Sequence, residues 1–430
     1  MNILIIGGGG REHALAWKIA QSPKVSKIFV APGNAGINDI AENVDIKATD
    51  FSKLIKFAKD NEVGLTIVGP DDHLALGVVD EFKKAGLRIF GPTKNAARIE
   101  SSKKFSKDLM KKMKIPTAEY QTFNNYGKAL EYLKNQSFPI VIKASGLALG
   151  KGVSICRSLE DAKNALESIM INKTFGDSGN EVIIEEFLGD GQEISIHCIT
   201  DGESFITFPT SQDHKTIFDG GNGPNTGGMG TYAPVPWAEK NYLDWANKKV
   251  IRPILKGLKE NKSNYAGLLY PGLKLTNDGP KVLEFNARFG DPETQSYMRL
   301  LKTDLVEIIE SCLDGTLSGI DVKWGTGFAV CVIIASKGYP VTCAEEVPIN
   351  GIECAEANPN VVIFHSGTKM VNGKLYASGG RVLSVTATGK TLEDAIKTAY
   401  QAVDKIKFNG MQYRTDIGAK ASVKPCLYNL

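Results

Sequence analysis

Met1-Asn-Ile-Leu-Ile-Ile-Gly-Gly-Gly-Gly10 opens the chain with a short apolar run that reads as a buried strand and passes straight into four glycines. A helix is expected from about Arg11 to Gln21, then a strand Lys27 to Val30 closed by Pro32-Gly-Asn34. The alternation continues with a helix near Ser52 to Asp60, a strand Leu65 to Val68, a helix near Leu76 to Ala85 and a strand Leu87 to Phe90. Strands alternating with helices, with glycine at the strand exits, predict an open parallel sheet that ends near Gly91-Pro92. The glycine run is not a dinucleotide fingerprint. Counted from Gly7 the sixth position is Glu12, and the second strand ends Val30-Ala-Pro-Gly-Asn34 without the acid that would hold a ribose. Two readings remain for it: a helix N-terminus suited to a phosphate, with Arg11 beside it, or a plain tight turn.

Beyond this unit, a Lys-rich amphipathic helix is expected over Ser102 to Met113, followed by a smaller α/β unit from Ile115 to about Leu188. Longer strands then turn at Asp201-Gly202 and at Asn277-Asp278-Gly279. The last hundred or so residues alternate strands, such as Phe328 to Ala335 and Arg381 to Ala387, with a helix from Thr391 to about Ile406. The 430 residues exceed one ordinary core, so the expected class is multidomain, α/β and α+β.

Lys plus Arg number 51 against 48 Asp plus Glu, a near balance that points to neither nucleic acid nor an anionic membrane as partner. The seven cysteines have no metal-knuckle or redox spacing and read as reduced thiols. No apolar run has the length of a membrane span, and the opening residues lack a leader's basic flank, so a cytoplasmic location is expected.

Three stretches carry chemistry. Val141-Ile-Lys-Ala-Ser-Gly-Leu-Ala-Leu-Gly-Lys151 places Lys143 on a strand opposite Ile142 and Ala144, and then Gly146, Gly150 and Gly152 give a loop whose backbone N–H groups suit phosphates. A structural hairpin with incidental lysines is the other reading. Asp213-His-Lys215 stands at the shoulder of the glycine-dense run Asp219 to Gly230, a composition costly in chain entropy unless backbone must approach a ligand closely. Leu283-Glu-Phe-Asn-Ala-Arg-Phe-Gly-Asp-Pro-Glu-Thr294 is the densest. Strand alternation sets Glu284, Asn286 and Arg288 on one face, opposite Leu283, Phe285 and Ala287. A carboxylate, an amide oxygen and a guanidinium together suit a divalent metal with a phosphate.

These stretches, with Gly9-Gly-Arg-Glu-His-Ala14, Gly223-Pro-Asn-Thr-Gly-Gly-Met-Gly230, Phe289-Gly-Asp-Pro-Glu-Thr-Gln295, Gly379-Gly-Arg-Val-Leu383 and Asp416-Ile-Gly418, resemble the glycinamide ribonucleotide synthetase family of the ATP-grasp superfamily over almost the whole chain. The resemblance implies an N-terminal domain over 1–102, an ATP-grasp domain over 103–322 with a lid at about 116–188, and a C-terminal mixed α/β domain over 323–430. It implies ATP against Lys103, Lys143, Gly146, Gly150, Lys151, Gly152, the hinge Glu185, Glu186, Phe187 and Leu188, and Glu193, with Mg²⁺ or Mn²⁺ on Glu284 and Asn286. Asp213, Lys215, Arg288 and Asp291, with the loop Asn225, Thr226, Gly227, Gly228, Met229 and Gly230, are implied to face glycine and the reacting phosphate. Gly9, Gly10, Arg11, Glu12 and His13 with Arg381 are implied to hold 5-phosphoribosylamine. The implied reaction joins glycine to that amine through glycyl phosphate, in purine synthesis. The chain departs from the family pattern at Ser145, at Gly221 and over Gly69-Pro-Asp-Asp-His-Leu74.

Overall fold

In the computed structural model, which describes residues 1–148, 152–238, 240–342 and 345–423, the N-terminal strands form one wholly parallel sheet. Its order across the sheet is Glu42–Asn43, Lys27–Pro32, Asn2–Gly7, Val63–Val68, Ile89–Phe90. The central strand is apolar and buried from Ile3 to Ile6, as a strand covered on both faces must be. The helix expected near Leu76 to Ala85 is Val78–Lys84, and a short helix not expected from the sequence, Asp71–Leu76, precedes it. Gly77, at φ +98°, takes a left-handed conformation that a helix interior cannot hold, and so divides Asp71–Leu76 from Val78–Lys84.

Helix Lys103–Lys112 is capped by the Ser102 hydroxyl and leads to a four-stranded sheet ordered Tyr120–Phe123, Val182–Glu186, Ile140–Ala144, Val153–Cys156. Helices Tyr126–Leu133 and Leu159–Leu166 cover it, and Leu133, Ile142, Leu166 and Val182 form its own small core. A single bridge, Thr117 to Val282, and the Thr117 hydroxyl bonded to the Val282 carbonyl at 2.6 Å tie the start of this unit to the long hairpin beyond it.

That hairpin, Gly267–Thr276 with Gly279–Asn286, turns where the Asn277-Asp278-Gly279 signal places it. A bulge interrupts its register: Leu273 pairs with Val282 but Gly272 pairs with Glu284, so Leu283 is the extra residue. The expected apolar face is therefore corrected. Val282, Phe285 and Ala287 enter the core, whereas Leu283 stays half-buried.

A five-stranded antiparallel sheet gathers Gln212–Asp213, Gly230–Ala233, Phe328–Ala335, Arg381–Gly389 and Val361–His365, with helix Leu392–Val403 against it. Strands on either side of the glycine-rich loop thus share a sheet with the last hundred residues. Among the described residues no helix is long and apolar enough to cross a membrane. Cys156, Cys198, Cys312 and Cys331 are free and buried, Cys354 is free and exposed, and Cys343 and Cys426 lie outside the described residues.

Candidate active site

The long hairpin presents Glu284 beside Lys215, whose Nζ lies 3.4 Å from Glu284 Oε1 and 4.0 Å from Glu193 Oε2. Glu193 begins the neighbouring strand, in register with Lys274, and the two side chains pair at 3.1 Å. Burial would push the Glu284 carboxyl up, but Lys215, Lys143 and Lys103 together outweigh it and hold it down at about 2. A carboxylate kept ionised by three converging lysines, with the Asn286 amide oxygen two residues along the same strand, is a hard-oxygen pair. That donor set fits a divalent cation bound jointly by protein and nucleotide. Among the described residues no group of three or more His, Cys, Asp or Glu side chains forms a metal site by itself.

Arg288 follows the strand's end. Its Nη1 donates to the Tyr270 hydroxyl at 2.5 Å, its Nη2 donates to Asn286 Oδ1 at 3.3 Å, and its Nε stands 3.3 Å from Glu100 Oε1. Glu100, at the end of helix Lys94–Ser101, also accepts the Ala287 N–H at 2.7 Å. Burial raises its carboxyl to about 7 despite the Arg288 guanidinium. Tyr270 stacks on the buried ring of His197 at 3.8 Å, and His197 Nδ1 meets the Tyr297 hydroxyl at 3.0 Å. Neither Glu100 nor Tyr270 stands out in the sequence. They come from segments far from Arg288, and only the long-range pairing brings them together.

Asp213 and Glu293 form a second acidic centre. Burial, and then the nearness of Glu293, raises Asp213 well above the ordinary carboxyl range, against the pull of Lys215 and Arg381. Asp213 Oδ1 is buried with no hydrogen-bond partner among the described residues. Glu293, at the start of helix Glu293–Leu300, takes a 3.4 Å bond from Ser195 Oγ and is likewise raised by burial. Its position in the first helical turn after Asp291-Pro292 was the available signal.

The glycine-rich loop closes over this centre. The Thr226 hydroxyl donates to the Lys215 carbonyl at 2.8 Å, and a Cβ at Gly228 would lie 2.8 Å from Asp213 Oδ1 and 2.5 Å from the Pro292 ring. Gly228 also has φ +108°, so glycine is required there twice over. Arg381 Nη1 donates to the Gly227 carbonyl at 2.8 Å, and its Nη2 pairs with Asp291 Oδ2 at 2.8 Å. Asn225 and Gly227 are exposed, Thr226, Gly228 and Gly230 buried. Met229 departs from the expected set. Its side chain turns inward against Ile217, Cys331 and Ile333, because the loop's return strand joins the antiparallel sheet there.

Around the expected nucleotide site, Lys143 is ion-paired with Glu185, and Lys107 reaches the same carboxylate at 2.6 Å. Glu185 is buried and acts as the counter-ion of two lysines, which leaves this hinge its backbone for a ligand edge. Glu186 pairs with Lys281 at 2.8 Å, Phe187 and Leu188 are half-buried, and Lys103 Nζ donates to the Gly146 carbonyl at 2.9 Å. Gly152 is buried, while Gly150 and Lys151 lie outside the described residues.

The opening glycines answer to close packing. Gly7 and Gly69 leave room for the Glu12 side chain, and Gly8 abuts the Gly33 carbonyl. Glu12 takes the Gly9 N–H at 2.6 Å and Arg11 Nε at 2.5 Å, and Arg11 Nη1 donates to the Phe289 carbonyl at 3.1 Å. His13 is buried and pushed down to about 3, chiefly by burial, and its Nδ1 accepts the His365 N–H at 2.9 Å. Gly9 and Arg11 border Asp291: a Cβ at Gly9 would come 3.7 Å from Asp291 Oδ2, and the Arg11 charge, after that of Arg381, helps hold the Asp291 carboxyl down against its burial, while Gly10 packs on Ser384 and Gln295.

Residues 1–100, 101–294 and 329–420 match the N, ATP-grasp (A) and C domains described for phosphoribosylglycinamide synthetase. The chain belongs to that family. It is 48% identical to the phosphoribosylamine–glycine ligase of Caldanaerobacter subterraneus subsp. tengcongensis, over 97% of this chain and 100% of the relative. It is 47% identical to that of Clostridium acetobutylicum, over 97% of this chain and 99% of the relative. The crystal structure of phosphoribosylamine–glycine ligase from Thermotoga maritima superposes with a TM-score of 0.86 at 33% identity, covering 97% of this chain and 100% of that one.

Proposed function

We propose that this member of the phosphoribosylglycinamide synthetase family is an ATP-dependent ligase that joins glycine to 5-phosphoribosylamine in purine synthesis. The observation that supports this most is the Glu284–Asn286–Arg288 group set among Lys215, Lys143 and Lys103, which brings a carboxylate, an amide oxygen and a guanidinium together with converging lysines. Such a group suits phosphoryl transfer, which needs positioning and charge neutralisation more than covalent help.

In this reading a carboxylate oxygen of glycine attacks the γ-phosphorus of ATP, and the bond from that phosphorus to the β–γ bridging oxygen breaks. ADP and glycyl phosphate result. The amine of phosphoribosylamine then adds to the acyl carbon and phosphate leaves with the former acyl–phosphate oxygen. Lys143, Lys103 and the 146–152 loop bind the nucleotide phosphates, the Glu185–Leu188 hinge offers backbone to the purine, and Glu193 meets the ribose. Arg288 and Lys215 hold the transferring group. Asp213 Oδ1, buried and unpartnered beneath Gly228, suits a hydrogen bond from the amino group of glycine or of the attacking amine. Gly9 to His13 and Arg381 frame the phosphoribosylamine side. A divalent metal, Mg²⁺ or Mn²⁺, on Glu284 and Asn286 would neutralise the β- and γ-phosphates.

The division at 102 and 322, the lid over 116–188 and a cytoplasmic location belong to the same reading. ADP release, measured with ATP, glycine, phosphoribosylamine and metal each omitted in turn, tests it. Release should need every component, and full-rate release without glycine would overturn it.

A further inference from the structure

The segment Arg414–Gly418 takes no part in the chemistry above, yet each of its residues touches the base of the glycine-rich loop. Arg414, almost wholly buried, donates from Nη1 to the Thr216 carbonyl at 3.1 Å and to its hydroxyl at 2.9 Å. The Thr415 N–H donates to Asp219 Oδ1 at 2.8 Å, and the Thr415 hydroxyl donates to Oδ2 of the same side chain. Asp416 receives Arg414 through both oxygens at 2.7 Å and takes the Gly220 N–H at 2.9 Å. Ile417 fills the space beside Gly230, where a Cβ would lie 2.7 Å from its Cδ1. The Gly418 N–H donates to His214 Nε2 at 3.4 Å. His214 Nδ1 in turn lies 3.1 Å from the Gly230 carbonyl, an arrangement that fits one neutral tautomer protonated at Nδ1. At the far end of the loop the Gly227 N–H donates to the Tyr339 hydroxyl at 3.0 Å.

The loop needs such support. Residues 219–225 are exposed, and Gly220, Gly221 and Gly223 all have positive φ, so local sequence offers little stiffness. Its ends carry Asp213 and Lys215 on one side and Gly228 on the other, the groups that close over the reacting phosphate.

We infer that Arg414–Gly418 is a strap that positions the glycine-rich loop over the reaction, with Asp416 as its central positioning residue. This rests on the reading that the loop faces glycine and the acyl phosphate. A strap of this kind acts on loop placement and on water exclusion, and leaves the nucleotide site alone. Asp416→Asn puts an amide nitrogen against the Gly220 N–H or the Arg414 guanidinium and so breaks the tie.

The test uses the full chain. Asp416→Asn should raise KM for glycine about tenfold, the scale of a lost charge-assisted hydrogen bond, with KM for ATP unchanged. The ratio of phosphate released to amide formed should rise above unity, because water reaches glycyl phosphate. Amide hydrogen exchange over 216–227 should quicken. A ratio held at unity with KM for glycine and exchange unaltered would overturn the strap. Should Asp416→Asn fail to fold, the pair Thr415→Val and Thr415→Ser serves: Val should show the uncoupling, Ser should restore coupling, and identical behaviour of the two would overturn it. If the unaltered chain forms no amide from glycine, the proposed function fails instead, and the exchange comparison alone decides the strap.

Discussion

Replacing Glu100 by Gln isolates one buried charge. In the folded chain burial raises this carboxyl from its ordinary 4.5 to about 7, with Arg288 and the Ala287 N–H pulling down and Asp71 and Glu284 pushing up. The folded state thus binds the proton more tightly than the unfolded chain. The associated stability is fully present below 4.5 and is lost as pH rises through about 7. The difference of 2.5 units between 4.5 and about 7, at ~1.36 kcal/mol each, comes to roughly 3 kcal/mol. Gln keeps an oxygen for the Ala287 N–H and does not titrate. The stability of Glu100→Gln relative to the unaltered chain should therefore improve by about that amount between pH 4.5 and pH 8, or roughly 5–10 °C in the first unfolding midpoint. Scanning both proteins at each pH cancels the other titrating groups. In activity, Arg288 loses its ionised neighbour, so kcat/KM should fall and its acid limb near pH 7 should disappear. Parallel stability curves for the two proteins would refute the reasoning, since Glu100 would then bind its proton equally in the folded and unfolded chains.

Arg288→Lys should keep the reaction but lower kcat/KM about 100-fold, because a single ammonium cannot hold Tyr270, Asn286 and an oxyanion together; steady-state rates with product analysis check it. Glu284→Gln and Asn286→Ala should lower turnover more than thermal stability and raise the metal concentration for half-maximal rate, with extra metal restoring part of the activity. Lys143→Ala should raise KM for ATP about tenfold and leave KM for glycine unchanged, since Lys107 still accompanies Glu185; a shift in glycine KM alone would move Lys143 away from the nucleotide.

Four strands of the parallel sheet were legible because each is an apolar run ended by glycine or proline, and both hairpins because their turns carry Asp-Gly; the edge strand Glu42–Asn43, two polar residues, carries no such signal. The Glu284–Asn286–Arg288 group was legible because alternation persists on that side beyond the bulge, although Leu283 left the apolar face. What escaped depends on distance along the chain. Glu100 meets Ala287 across 187 residues, and Gly220 meets Asp416 across 196. The opening glycines read as a phosphate site or as a tight turn, and only the Glu12 side chain lying against Gly7 and Gly69 shows the packing that part of the run serves. Met229 looked like part of a ligand loop because its neighbours are glycines, while its own burial follows from a sheet formed with strands a hundred residues later.

The most direct test of the account follows oxygen. Glycine labelled with oxygen-18 in its carboxylate is turned over with ATP, metal and freshly made phosphoribosylamine, and the phosphate and nucleotide products are weighed by mass spectrometry. Attack of the carboxylate on the γ-phosphorus, at a site where Lys215, Lys143 and Lys103 converge on Glu284, requires one labelled oxygen in each inorganic phosphate and none in ADP. Label in AMP, with pyrophosphate formed, would mean attack at the α-phosphorus and would contradict the account.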